Sequence, residues 1–193
     1  ALIGEQKFGA GRGCHDLIML ALGTGVGGGI MIDDKLIVGT RFGAAELGHV
    51  ILDPDGPPCC CGNDGCLEAF SGAVAIEMAA RRRIEAPDAD PLLEELVTSG
   101  QANPESLASL ARSGCDQAAD IFFEAGRRLG QAVGGFVNTL DPEKVIIGGG
   151  VAQAGDMIFK PCRTEASRVI LCERSQSIPI VPAELGPKAA AIG

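Results

Sequence analysis

Tryptophan and tyrosine are absent from the sequence, and phenylalanine, at seven positions, is the only aromatic type. That removes the usual platforms on which nucleic-acid bases stack. Positive charge is also scarce: 16 lysines and arginines stand against 25 aspartates and glutamates, for a formal net charge of -9. The acidic residues are spread along the chain, so the surface repels phosphate backbones and anionic lipid. Neither a nucleic-acid nor a membrane partner is expected. No apolar run approaches the ~20 residues of a membrane-spanning helix. Ala1 to Cys14 carries charges and glycines where a signal peptide would have an apolar core. A cytoplasmic location follows as the expectation. The single basic run, Arg81-Arg82-Arg83, follows an apolar helical pattern and reads as a helix end whose cations suit the negative pole of the dipole.

What is present is enough for a real core. The chain has 193 residues, 46% of them hydrophobic, which suits one large domain or two small ones. It begins without Met and ends at Ala189-Ala190-Ala191-Ile192-Gly193, which reads as a helix just beginning. A piece of a longer protein, with a final helix missing, is therefore expected.

The pattern along the chain is mixed α/β. Residues 1–9 read as the end of a helix. Leu17 to Leu22 is a short continuous apolar run suited to a buried strand. A glycine turn (Gly23 to Gly29), a strand (Ile30 to Ile32), an Asp33-Asp34 turn and a strand (Lys35 to Val38) complete an antiparallel meander. His49 to Leu52 reads as extended. Helices are predicted over 72–84 with Ser71 as N-cap, over 91–97 and 104–111 behind Pro91 and Pro104, and over 116–139. Glycines 126, 130, 134 and 135 weaken the last of these but permit close approach to a neighbour. Lys144 to Ile147 is a buried strand, Gly155 to Val169 a helix interrupted by Pro161, and Ile178 to Val181 a last strand.

Three features carry chemistry. The first is Cys59-Cys60-Cys61-Gly62-Asn63-Asp64-Gly65-Cys66, with His49 ten positions upstream. Three thiolates and one imidazole, His49, Cys59, Cys61 and Cys66, can close a tetrahedral structural zinc site if the backbone turns sharply, and Gly62 and Gly65 permit that turn. Cys60 is the spare and is expected to point away. The rival readings are a disulfide, disfavoured in a reducing compartment, or a chance cluster of buried thiols. The scattered Cys14, Cys115, Cys162 and Cys172 read as small core hydrophobes.

The second and third features are glycine loops. Gly23 to Gly29 lies between strands, so it is neither a Rossmann nor a Walker loop. Its bare amides and the Thr24 hydroxyl either cradle an anion or simply make a tight turn. Gly148-Gly149-Gly150-Val151 ends a strand, where missing side chains would let a flat adenine or ribose approach the backbone. An ordinary strand-to-helix turn reads equally well there. Together, the two loops point toward a nucleotide.

The combination Leu22-Gly23-Thr24-Gly25-Val26-Gly27-Gly28-Gly29-Ile30, then Gly39, then Glu46-Leu47-Gly48-His49, then Cys59 to Glu68 as Cys-X-Cys-Gly-X-X-Gly-Cys-X-Glu, resembles the ROK family of sugar kinases and sugar-responsive repressors. The resemblance covers nearly the whole chain. It implies an actin-like, ribonuclease-H-like (hexokinase-type) fold of two lobes around a cleft, with residues 1–193 as the C-terminal lobe. It further implies that His49 is shared between zinc and sugar, and that Glu46 and Glu68 accept hydrogen bonds from sugar hydroxyls. Gly23, Thr24, Gly25, Val26 and Gly27 would hold ATP phosphates, and Gly148, Gly149, Gly150 and Val151 the adenosine. The expected activity is hexose phosphorylation from Mg-ATP, with glucose the family's commonest sugar and N-acetylmannosamine, fructose, mannose and allose also in use. Dimers or tetramers are usual in the family.

The departure from the pattern is at the front. The family's catalytic aspartate, in Asn-Asp-X-Asn, and its Asp-X-Gly-X-Thr loop both lack a counterpart here. The resemblance places them before Ala1, so no catalytic residue is expected in this segment and half a cleft should not catalyse the transfer. Asp16 is no substitute, since it opens a buried strand. The alternative is the effector-sensing domain of a repressor, but the intact glycine loop favours a kinase.

Overall fold

The computed structural model describes residues 1–186 and 189–192. Its centre is a five-stranded mixed sheet in the order β3-β2-β1-β4-β5. The strands are β1 (Leu17–Leu22), β2 (Val26–Ile32), β3 (Lys35–Leu36), β4 (Lys144–Gly148) and β5 (Ile180–Pro182). β1, β2 and β3 form the predicted antiparallel meander, and β4 and β5 add on in parallel. The continuous apolar runs of β1 and β4 reflect burial on both faces. Ile18, Leu20, Leu22, Val145 and Ile147 point into the main core, whereas Leu17, Met19 and Ile146 point into a smaller one with Leu2 of α1 (Leu2–Phe8). The period of two divides the strands cleanly between the two layers.

The remaining helices are α2 (Glu68–Ser71), α3 (Ala73–Arg83), α4 (Pro91–Thr98), α5 (Pro104–Arg112), α6 (Asp116–Leu140), α7 (Asp156–Val169) and α8 (Ala189–Ile192). The helix expected to begin at Ala189 is present; Gly193 lies outside the described residues. No helix among the described residues is long and apolar enough to cross a membrane. α6 and α7 pack side by side on the main-core face of the sheet, and the glycines of α6 make this possible. A Cβ at Gly126 would collide with the Ile158 carbonyl, and one at Gly130 with the Cys162 carbonyl. The two backbones are therefore in contact, as the sequence pattern anticipated.

Several boundaries differ from the sequence reading, each for a physical reason. The glycine turn is shorter, because Gly27, Gly28 and Gly29 pair with Ala21, Leu20 and Met19 as part of β2. β3 ends at Leu36, opposite Met31, with one further hydrogen bond from Ile37 N–H to the Ile30 carbonyl (2.9 Å) before the chain leaves β2. Ser71 does not cap α3: it closes α2, is fully buried, and donates its hydroxyl to the Ala125 carbonyl at 3.0 Å. Gly72 is the N-cap instead. Pro161 does not interrupt α7, since it lies near the first turns and its ring packs where Gly126 leaves room. His49 to Leu52 is not a strand: Leu47–His49 is a 3-10 turn, and Ile51 makes an isolated bridge to Cys66.

One buried carboxylate ties the two ends of the described chain together. Glu5 is fully buried and accepts from the backbone N–H of Ala10 (2.8 Å), Glu184 (3.1 Å) and Leu185 (2.8 Å). Glu5→Gln keeps one acceptor oxygen and puts a donor where N–H groups converge. Chemical denaturation should show a loss of about 1–3 kcal/mol; an unchanged midpoint would mean that water satisfies these amides.

Candidate metal centre and ligand cleft

The cysteine segment is too poor in apolar residues to pack on itself, and its hydrogen bonds do the shaping. Cys59 N–H donates to the Asn63 carbonyl (2.8 Å), Gly62 N–H to Cys59 (3.0 Å) and Gly65 N–H to Pro57 (2.8 Å). Gly62 (φ 92°) and Gly65 (φ 67°) occupy the left-handed region, as the turns require. The base of the knuckle is anchored to α6: Arg128 pairs with Asp53 at 3.4 Å and lies 4.5 Å from the centroid of the Phe70 ring.

His49 reaches the knuckle through the 3-10 turn, which presses on β2. A Cβ at Gly48 would collide with the Val26 carbonyl, so only glycine lets the turn sit this close. The result is a cluster in which one ligand atom each from His49, Cys59, Cys61 and Cys66 lies within 4.8 Å of the others. His49 Nδ1 is 3.6 Å from Cys59 Sγ, and Cys61 Sγ is 3.6 Å from Cys66 Sγ. A tetrahedron with Zn–S bonds of about 2.3 Å and a Zn–N bond of about 2.05 Å has edges of about 3.6–3.8 Å. The donor set and its spacing therefore fit such an ion. All eight cysteines are free thiols, and 3.6 Å is far outside the ~2.05 Å of a disulfide. Burial pushes the Cys66 thiol up to about 12, whereas the Asn63 backbone N–H draws Cys61 down to about 7.

Glu68, first residue of α2, joins the knuckle to the glycine turn. Its Oε2 accepts from Val26 N–H at 2.8 Å, and its Oε1 from the Cys60 thiol at 3.0 Å. Burial raises its pKa, but the hydrogen bonds from Cys60, Val26 and Cys59 and the nearby His49 together outweigh burial and hold the carboxyl below its ordinary value. The Cys59 thiol also approaches Oε1, at 3.8 Å, which leaves about one of the carboxylate's roughly four acceptor positions open. Glu46, exposed, stands at the start of the 3-10 turn that carries His49.

The parallel pairing of β1 with β4 sets both glycine loops at the same end of the sheet, since Ala21 pairs with Gly148. Ligands of open α/β sheets bind at the carboxyl ends of parallel strands. A cleft of about 610 Å³ lies there, lined by Gly23, Thr24, Gly150 and Val151. Of the other glycine-loop residues, Val26 and Gly148 are buried, Gly27 lies within β2, and Gly149 (φ 95°) abuts the Leu22 backbone. Gly25 lines a neighbouring cavity with Cys60 and Glu68. The cleft also includes Asn103, Glu105, Arg112 and Gln153, none of which the sequence reading singled out. Asn103 was detectable only as an N-cap before Pro104, and its place in the cleft depends on how α5 packs. Asp16 sits at the opposite end of β1, where its carboxylate accepts from Asp33 N–H at 2.8 Å.

Residues 1–193 match the ROK family over their whole length. The chain belongs to the ROK family. It is 38% identical over 170 residues to a glucokinase of Thermotoga maritima, a match spanning 88% of this chain and 54% of that protein. A ROK glucokinase from Streptomyces griseus, solved with glucose and AMPPNP, superposes with a TM-score of 0.87 at 36% identity, covering 99% of this chain and 62% of that one. A ROK transcriptional regulator, a homologue of the E. coli MLC protein, gives 0.88 at 28% identity, covering 100% and 48%. The chain thus spans little more than half the length of the glucokinases it matches. The fold is that of the ROK sugar kinases, the actin-like ATPase fold.

Proposed function

We propose that this chain is the C-terminal lobe of an ATP-dependent hexose kinase that transfers the γ-phosphate of ATP to a sugar hydroxyl, with glucose as the sugar. The observation that carries the reading is Glu68, which touches the glycine turn with one oxygen and the knuckle with the other. A sugar held near Glu68 would therefore lie beside a nucleotide in the cleft between Gly23-Thr24 and Gly150-Val151. The glucose and AMPPNP bound to the S. griseus glucokinase support the same pair of ligands.

On this reading the metal is zinc, held by His49, Cys59, Cys61 and Cys66, and its contribution is structural. His49 presents Nδ1 to the cluster, which leaves Nε2 for a sugar hydroxyl and fixes the ring's orientation. Glu46 and Glu68 accept from neighbouring hydroxyls. Thr24 and the tip of the Gly23–Gly27 segment adjoin the phosphates, the Gly23 and Val26 N–H groups being taken by Gly25 and Glu68; Mg²⁺ accompanies ATP, and Gly148 to Val151 adjoin the adenosine. The aspartate that takes the proton from the attacking hydroxyl lies outside these residues, so the lobe alone is inactive. A repressor domain would share the knuckle, but it has no need of an open nucleotide cleft.

In the two-lobed protein, Glu68→Ala should raise the KM for glucose by about 10–100-fold, the worth of hydrogen bonds to a charged group. Zinc content should stay unchanged. An unaltered KM would refute sugar contact, and loss of the ion at His49, Cys59, Cys61 and Cys66 alongside affinity would make Glu68 a support of the loop.

A further inference from the structure

The sequence leaves Cys60 as the spare thiol, and it does stay outside the four-residue cluster, exposed and turned toward Glu68. Its Sγ lies 3.0 Å from Glu68 Oε1, and Cys59 Sγ approaches the same oxygen at 3.8 Å. Ligand atoms of Cys59, Cys60 and Glu68 all lie within 4.8 Å of one another. Among the described residues, this set and the four-residue cluster are the two groups spaced to hold a metal. They share Cys59. The second set opens onto a cavity of about 340 Å³ bounded by Gly25 and Arg82, and Cys60 is exposed to solvent.

We propose that Cys59, Cys60 and Glu68 form a second, exchangeable site for a thiophilic divalent cation such as Zn²⁺ or Cd²⁺, bridged to the first ion through the Cys59 thiolate. Two thiolates and a carboxylate suit zinc and cadmium and disfavour Mg²⁺ and Ca²⁺, which prefer oxygen ligands throughout. Tetrahedral S–O edges at ordinary zinc bond lengths are about 3.5 Å, between the two distances the structure presents, so small side-chain rotations suffice. Charge also allows it. With one ion, three thiolates and the Glu68 carboxylate leave the ligand groups at -2; a second ion that displaces the Cys60 proton leaves them at -1. The step is Zn²⁺ plus the Cys60 thiol giving a Zn–S bond and one released proton, with no change of oxidation state. Water from the cavity completes the coordination.

The ion would occupy Glu68 Oε1. If Glu68 contacts sugar, as proposed above, sugar and the second ion exclude each other, and excess zinc turns recognition off. That consequence rests on the sugar-site reading, whereas the existence of the site does not.

The test is a Cd²⁺ titration of the fully reduced protein without oxygen, followed by thiolate-to-metal absorbance, proton release and metal analysis. Two equivalents are expected, the second weaker and releasing about one proton. Cys60→Ala should bind one equivalent, with the affinity of the first ion unchanged. Glu68→Gln should weaken only the second, by at least about tenfold. A single equivalent in the unaltered protein, or a second one indifferent to Cys60→Ala, would overturn the proposal. Glucose binding measured during the titration separates the two readings. A second ion that depends on Cys60 yet leaves glucose binding intact would uphold this site and remove Glu68 from the sugar's contacts.

Discussion

A Cys66→Ser protein is expected to leave purification without stoichiometric zinc and, in the two-lobed form, without measurable glucose affinity. Cys66 is the most deeply placed thiol of the cluster, fully buried. It sits where the knuckle rejoins the fold, in a bridge with Ile51 and one residue before Leu67, whose N–H donates to the Val50 carbonyl at 3.0 Å. Replacing a soft thiolate by a hydroxyl there removes one of four bonds in a closed site. Even outer-sphere changes cost metal sites about 10–100-fold in affinity, so loss of a ligand should exceed that. Without the ion the knuckle keeps only a few backbone hydrogen bonds, because it has little apolar surface to bury. His49 and Glu68 would then lose their fixed positions together. Metal analysis and calorimetry with glucose check this jointly: a variant that binds glucose normally without zinc would show that the metal does not organise the sugar site. Acidification should act the same way, since protons compete with the metal for the thiolates.

Gly130→Val should cost about 3 kcal/mol or more, through overpacking at a helix contact with no slack. At Gly130 an added Cβ would meet the Cys162 carbonyl and lie 2.8 Å from the Glu165 Cβ, both on α7. Neither is the free end of a flexible side chain, so α7 must move. Moving it disturbs Ile158, Cys162 and Ala166, which fill the main core beneath the sheet. For a chain of this size, the loss corresponds to a fall in melting temperature of roughly 6–12 °C. Gly135→Ala is the control, because nothing lies within 4 Å of the Cβ it would add, and it should be neutral or slightly stabilising. Equal melting temperatures for the two variants would contradict the contact between α6 and α7.

Much of this protein was legible in the residues alone, and the reason is local. The four residues of the His/Cys cluster lie within 18 residues of one another, from His49 to Cys66. Their donor types and the two positive-φ glycines restrict what the segment can do. The strands β1 and β4 announce themselves because burial on both faces demands unbroken apolar runs. The family motifs are likewise short and contiguous.

What the tertiary structure decided depends on contacts between residues far apart in sequence. The parallel pairing of β1 with β4 put two glycine loops, some 125 residues apart, at one end of the sheet. The packing of α5 brought Asn103 and Arg112 to the same cleft, and neither carried a motif. The cysteine knuckle shows the division most closely. Spacing and donor chemistry were enough to single out His49, Cys59, Cys61 and Cys66 as a candidate set, and the fold brings these four side chains together. The direction of Cys60 was not selected in this way. An exposed side chain with several open rotamers turns toward whatever the fold places beside it, and here the fold placed Glu68.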